Sequence, residues 1–371
     1  MRATVERSHL LKSLGHVHRV VERRNTIPIL ANVLLRADGG KLTLKATDLD
    51  LEVTEGVPAE TGQAGATTVP AHILYDIVRK LPDGAELSLD TGDSSQLVLK
   101  SGRSRFTLQI LPEADFPDLT AGDFPVRFAL PASALKRLID RTQFAISTEE
   151  TRYYLNGIYL HVVTVAGKPM LRAVATDGHR LAQAQVEAPA GSETMTGVIV
   201  PRKTVGEIQK LVEDPDAEVV VEISDTKIRV TLGAVVLTSK LIDGTFPDYA
   251  RVIPQGNDKV LKVDKGEFAG AVDRVSTVSS ERGRAVKMAL SDGRMVLSVN
   301  NPDSGSATEE IGADYAADGI EIGFNSKYLL DVASQLETGT AEFRFADPGS
   351  PTLITDDGEA NTLYVLMPMR V

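Results

Sequence analysis

The chain repeats itself, and a repeat as long as a domain limits the folds open to it more than any single motif does. Ala46-Thr47-Asp48-Leu49 returns as Ala175-Thr176-Asp177-Gly178, 129 positions on. Val69-Pro70, ahead of a helical pattern, returns as Val200-Pro201 at 131, and Phe116-Pro117-Asp118 returns as Phe246-Pro247-Asp248 at 130. A third copy is fainter. Ser298-Val299-Asn300 stands 123 positions after the second Ala-Thr-Asp, and Met367-Pro368 falls 121 after Phe246-Pro247. Phe324-Asn325-Ser326-Lys327 takes the place of Val200-Pro201-Arg202-Lys203. The period of about 120 residues suits a domain and is too long for a solenoid. Breaks near Ala121 and Gln255 give domains at 1–121, 122–254 and 255–371.

Each unit reads in one order: a helix, strands, a second helix, more strands. Leu10, Leu14, Val17 and Val21 make an apolar stripe at helical spacing. Strands are expected at residues 32–36 and 41–46, a helix over 72–81, and alternating strands at 86–89 and 105–110. The second unit starts its helices near Ser133 (Leu135, Leu138, Ile139) and near Thr204 (Val205, Ile208, Leu211, Val212). The third opens on Asp264-Lys265-Gly266-Glu267, a capping box, with Phe268, Val272 and Val275 behind it. Tyr328, Leu329, Val332 and Leu336 define its second helix. Two helices and many short strands per unit indicate an α+β fold, with helices layered on one face of antiparallel sheet.

The net charge of −11 argues against nucleic-acid binding only if the cations are spread evenly. They are not. Lys12, His16, Arg19 and Arg23 share one face of the first helix, with Arg24 at its end. Arg79 and Lys80 follow on the second, Lys136, Arg137 and Arg141 on the third, and Lys203 and Lys210 on the fourth. Lys265, Arg274 and Lys327 lie on the last two. A solvated helix face is ordinarily charged. Its repetition in all three units of an acidic protein points instead to a phosphate-facing lining, which gives affinity without sequence information.

Composition narrows the class further. With 42% hydrophobic and 25% charged residues the chain reads as globular. No apolar run approaches the ~18 residues of a membrane span, so no membrane contact is expected. The first ten residues hold no apolar signal core, so export is not expected. Cysteine is absent, which excludes disulfides and thiolate metal sites and is compatible with a reducing cytoplasm. Tryptophan is absent and aromatics make up 5%, a poor basis for stacking single strands.

Asp48 with Asp50, or Asp177 with His179, could be read as acid–base or metal groups, as in a metal-dependent nuclease. Two ligands do not make a site. An aspartate in a turn after a strand more often accepts backbone N–H groups. No P-loop, GxGxxG or GxSxG pattern is present, so no cofactor and no catalysis are expected. A non-enzymatic alternative is a monomeric interaction hub that never encircles DNA.

RRNTIPILANVLL (residues 23–35), ATDLDLEV (46–53), RYYLNGIYL (152–160), ATDGHRLA (175–182), VPRKT (200–204), GTFPDYARVIP (244–254) and YVLMPMRV (364–371) occur in that order and spacing. Together they make the chain resemble the bacterial beta sliding clamp family, the processivity subunit of DNA polymerase III, over essentially its whole length. The resemblance implies three similar domains per chain and a head-to-tail homodimeric ring around duplex DNA. Helices would line the hole, with antiparallel sheets outside. It implies a cytoplasmic, nucleoid-associated protein whose partners are the replicative polymerase catalytic subunit, a clamp loader, and other polymerases and repair proteins.

The resemblance also places a pocket for short tails bearing glutamine, leucine and phenylalanine. The matching residues are Leu155, Thr176, Gly178, His179, Arg180, Leu181, Pro247, Val252, Val365, Met367, Pro368, Met369 and Arg370. Leucine, valine, proline and adaptable methionine suit an apolar slot that takes many partners, with affinity near micromolar, roughly −8 kcal/mol. The same residue types would serve equally as interdomain core. Positions matching the family's DNA contacts are Arg24, Arg152, Tyr153, Tyr154 and Lys203; Glu149 stands where some relatives carry glutamine, and an acid there should weaken a phosphate contact. The subunit seam is expected to bring Phe106 and Leu108 against a helix end at Thr277 and Val278.

Overall fold

The computed structural model describes residues 1–92, 95–119, 122–279 and 284–371; the expected break at Ala121 lies outside them. Among the described residues there are six α-helices: α1 (Arg7–Val17), α2 (Ala71–Lys80), α3 (Ala132–Asp140), α4 (Arg202–Leu211), α5 (Lys265–Ser276) and α6 (Ser326–Ala333). Each lies where an apolar stripe predicts it. Val21, Leu81, Val212 and Leu336 fall beyond their helices yet remain buried, because the following turns stay packed on the core. Asp264 accepts the Glu267 N–H at 2.8 Å, which is the N-cap half of the expected capping box at α5. Asn325 caps α6 through the Lys327 N–H at 2.9 Å.

The chain divides into two compact units: Met1–Leu135 with Pro189–Thr194 and Gly206–Leu241, and Lys136–Ala188 with Met195–Val205 and Ile242–Val371. The division cuts through the central repeat because its strands are shared between two sheets. Val126–Pro131, Glu218–Ile223, Lys227–Leu232 and Val235–Lys240 belong to an eight-stranded sheet in the first unit. That sheet runs on into the first repeat by antiparallel pairing of Val235–Lys240 with Leu51–Pro58. The central repeat's other four strands open a nine-stranded sheet in the second unit. It continues into the third repeat where Arg180–Glu187 meets Thr362–Leu366. Each unit holds one further sheet, of five strands ending on Ser104–Gln109 in the first and of four ending on Gly305–Gly312 in the second.

Alternation along the strands places one face of each sheet in a core. In the second unit Phe268 of α5 meets Phe343 edge-on, with ring centroids 5.1 Å apart, and Phe343 stacks on Phe345. All three rings are fully buried, and truncating such a ring typically costs about 3–5 kcal/mol.

The third copy of the repeat sits one residue away from its expected alignment. Continued two residues past Tyr159–Val174 and Lys287–Ser298, the register carries Pro201 through Gly157 to Thr176 in the second repeat, and Asn325 through Ala285 to Asn300 in the third. Asn300 therefore matches Thr176, and Asn301 matches Asp177. Burial agrees, since Val299 and Ala175 both point into the core. Asn301 also does what Asp177 does, accepting the N–H two residues on, from Asp303 at 3.1 Å. The sequence match missed this because only the side-chain alternation of a strand, not the identity of three residues, sets its register.

Candidate functional site

Leu181 and Val365 are register partners across the junction of Arg180–Glu187 with Thr362–Leu366. With Leu155, Val174, Ile199, Phe246 and Tyr249 they form one buried apolar cluster, and Ile242 and Ile253 pack against it. Leu155, Leu181 and Val365 are thus a floor inside the protein's own core; Leu155 is only 4% exposed. The rim is different. Val252 is 49% exposed, and Met367 and Met369 also present large apolar surface. Pro247, Gly178, His179 and Arg370 are exposed, and Thr176 and Pro368 half-buried. The Met367 N–H donates to the His179 carbonyl at 2.9 Å, which fixes residue 367 beside the turn. Pro247 and Val252 adjoin Phe246 and Ile253 of the cluster. The exposed apolar surface therefore lies on the rim, and covering it would gain about 25 cal/mol for each Å² removed from water.

The turn beneath this rim is built by hydrogen bonds. Asp177 Oδ1 accepts the N–H groups of His179 and Arg180 at 2.9 and 3.0 Å. Asp48 Oδ1 likewise accepts from Asp50 and Leu51, at 2.9 and 2.7 Å. Both aspartates cap turns. Arg180 is a bracket: it is 8% exposed and bonds Asp177 at 3.2 Å, Asp331 at 2.5 Å and the Phe144 carbonyl at 2.7 Å. Its guanidinium lies 4.2 Å from the Tyr328 ring centroid. Asp331 and Phe144 went unnoticed in the sequence, and Tyr328 was read only as part of a helix stripe, since no local spacing ties either helix residue to Arg180.

The candidate DNA-facing residues differ in what they have available. Arg24 is exposed and in no ion pair among the described residues. Tyr153 is 53% exposed, with its ring edge-on to Tyr154 at 5.8 Å. Lys203 is half-buried on α4. Arg152 is held by both oxygens of Glu149, at 2.9 and 2.6 Å, and donates to the Asp177 carbonyl at 3.0 Å. Arg152 in turn draws the Glu149 carboxyl below its usual pKa.

The basic helix faces are less free than expected. His16 is buried, with Nδ1 2.8 Å from Glu55 and Nε2 3.2 Å from Glu213. It is therefore not part of an exposed face. Lys12 joins Glu213 at 2.9 Å. Arg137 pairs with Glu337 and Glu359 at 3.3 and 3.1 Å, Arg141 pairs with Glu337, and Arg274 with Glu309.

Of the expected seam residues, Phe106 and Leu108 lie on Ser104–Gln109, the outer strand of the five-stranded sheet, both partly exposed. Val278, just past α5, accepts through its carbonyl from Asn301 Nδ2 at 2.8 Å. Thr277 precedes it and is exposed.

Three family models match in succession: the N-terminal domain of the DNA polymerase III beta subunit at residues 1–120, its central domain at 129–248 and its C-terminal domain at 250–370. The chain belongs to the DNA polymerase III beta subunit family, the bacterial sliding clamps, and is a processivity subunit of replication rather than a catalytic enzyme. It is 54% identical to the beta sliding clamp of Caulobacter vibrioides, with all of both chains covered. A solved sliding clamp of Bartonella birtlesii, bound to griselimycin, is 59% identical with a TM-score of 0.98 over 100% of each chain. The Caulobacter crescentus clamp structure is 54% identical with a TM-score of 0.95, again over 100% of each.

Proposed function

We propose that two copies of this chain close head to tail into a ring around duplex DNA, and that the ring carries its partners by a groove for short peptide tails. The ring rests on an incomplete pattern of strand pairing. The strand after the Ala-Thr-Asp turn of the first repeat, Leu51–Pro58, pairs with the last strand of the second, Val235–Lys240. Arg180–Glu187 and Thr362–Leu366 repeat the arrangement one repeat later. One strand of each kind is left at a sheet edge: Gly305–Gly312 and Ser104–Gln109. Pairing them between two copies completes the pattern at both seams, and a two-fold axis makes the seams identical.

The register carries over as well. Leu51 faces Ser239 and Arg180 faces Leu366. The equivalent pair is Gly305 and Leu108, which sets Ala307 opposite Phe106 and Glu310 opposite Arg103. Val278 is tied by the Asn301 bond to the strand that pairs with Gly305–Gly312, and Thr277 precedes it. Phe106, Leu108, Thr277 and Val278 are the proposed seam, and residues 1–121, 122–254 and 255–371 the three segments of each half-ring.

Arg24, Arg152, Tyr153, Tyr154 and Lys203 are proposed to meet the phosphates, with Arg152 weakened by Glu149. The groove comprises the rim and floor described above, with Arg180 as its bracket. Its occupants would be tails of the replicative polymerase catalytic subunit, the clamp loader, and other polymerases and repair proteins, in the cytoplasm at the nucleoid.

The test is topological. The protein is loaded on a nicked DNA circle by a loader with ATP, freed of unbound chains by gel filtration, and the circle is then cut. Retention on the circle and rapid loss after cutting is expected. Equal retention on both would mean an ordinary DNA-binding surface, and none on either a hub that never encircles DNA.

A further inference from the structure

Residues 367–371 are held by two backbone hydrogen bonds and little burial. The Met367 N–H donates to the His179 carbonyl at 2.9 Å, and the Met369 N–H donates to the Gly323 carbonyl at 2.8 Å. The second bond is a single β-bridge on the edge of Ile320–Asn325, whose other edge pairs with Ala285–Ser291. Val371 is 64% exposed, so apolar contact adds little to the hold.

Gly323 is what permits the approach. Its φ is not positive, so the backbone conformation does not demand glycine. Space does: a Cβ there would run into the Met369 carbonyl oxygen and both methyl groups of Val371. A rotamer change can move the methyls but not the backbone oxygen, so the segment would have to lift from the strand.

We propose that Gly323 is a positioning residue for peptide docking. Seated against it, the segment holds Met367 and Met369 at the rim of the groove, although glycine itself has no side chain to offer a peptide. Lifting the segment leaves the floor intact and Met367 tied to the His179 carbonyl, but lets Met369 wander, and a peptide must then order it on binding. The inference rests on the groove assignment above.

Gly323→Ala and Gly323→Val are compared with Val252→Glu, which places a charge on the rim. Binding of a fluorescein-labelled peptide bearing glutamine, leucine and phenylalanine is read by polarisation. Exchange of the Met369 amide is read by mass spectrometry, and melting temperature guards against misfolding. Both Gly323 variants are expected to melt as the parent does and to exchange faster at Met369. Their peptide binding is expected to weaken about tenfold, which corresponds to about 1.4 kcal/mol. Faster exchange with unchanged affinity, while Val252→Glu abolishes binding, would overturn the role of Gly323 and leave the groove standing. Unchanged exchange in both would overturn the claim that Gly323 seats the segment. Unchanged affinity in Val252→Glu would remove the groove and this role with it.

Discussion

Leu49 and Gly178 occupy the same left-handed position in two copies of one turn, with φ of +80° and +87°. In each turn a threonine hydroxyl accepts that residue's N–H, Thr47 at 3.1 Å and Thr176 at 3.2 Å. Glycine takes this conformation freely, whereas leucine pays about 1–2 kcal/mol for it. Leu49→Gly is expected to stabilise the protein by up to about 1 kcal/mol, once glycine's extra chain entropy is set against the relieved strain. Gly178→Ala is expected to destabilise, because its Cβ would also press on the Arg152 guanidinium. Urea unfolding reads both, and a Leu49→Gly protein weaker than the parent would mean that the turn stores no strain.

Deleting residues 367–371 is expected to abolish tail-peptide binding while the protein still sediments as a dimer. The segment lies outside the buried cluster, so its loss exposes little core. Peptide affinity equal to that of the full chain would sink the groove assignment.

Arg103→Glu is expected to weaken the dimer by about tenfold at low salt, since it would set two carboxylates opposite each other at Glu310. Leu108→Asp, which buries a charge in the seam, should leave monomers at micromolar concentration. Sedimentation velocity across a dilution series measures both. A dimer indifferent to Leu108→Asp would place the seam elsewhere.

His16 and His161 bend the pH dependence in opposite directions. The Glu55 carboxylate on Nδ1 raises the His16 pKa, helped by Glu213 and opposed by burial. Its stabilisation is therefore complete below the unfolded value of about 6.5 and is lost as pH rises through the folded value. For His161, burial and then the Arg172 cation push the pKa down to about 4. Its contribution is present above about pH 6.5 and is lost as pH falls toward the folded value. His16→Gln should thus cost most on the acid side and least at alkaline pH, and His161→Gln should flatten the parent's acid-side loss. Urea midpoints measured across this range decide; a His16→Gln deficit that grows toward alkaline pH would contradict the sign.

Arg24→Ala is expected to weaken DNA association at low salt only, because an exposed phosphate contact is screened as ions are added. A loss that persists undiminished at high salt would point to damaged folding.

Most of the architecture was legible because helices and strands are encoded by neighbours in the chain. The stripe Leu10, Leu14 and Val17 is α1, and the Asp264 cap opens α5 where expected. Asp48 and Asp177 also serve as the turn caps their position suggested. The proposed groove was only half legible. The residue types of Leu155 and Val252 are alike, but one is core floor and the other exposed rim, and burial depends on what folds over a residue.

By itself the sequence determined the three-fold repeat, the α+β order of each unit and the family, since all three are written in spacing and local pattern. Tertiary structure alone decided which cations remain free. Arg137 and Glu337 stand 200 positions apart and meet at 3.3 Å, and His16 reaches Glu213 across 197. It also decided that Asn301, not Asn300, is the third turn residue, and that Gly323 seats residues 367–371. Charge pairing, strand register and close approach are distances in space, and chain spacing carries no record of them until the sheets have closed.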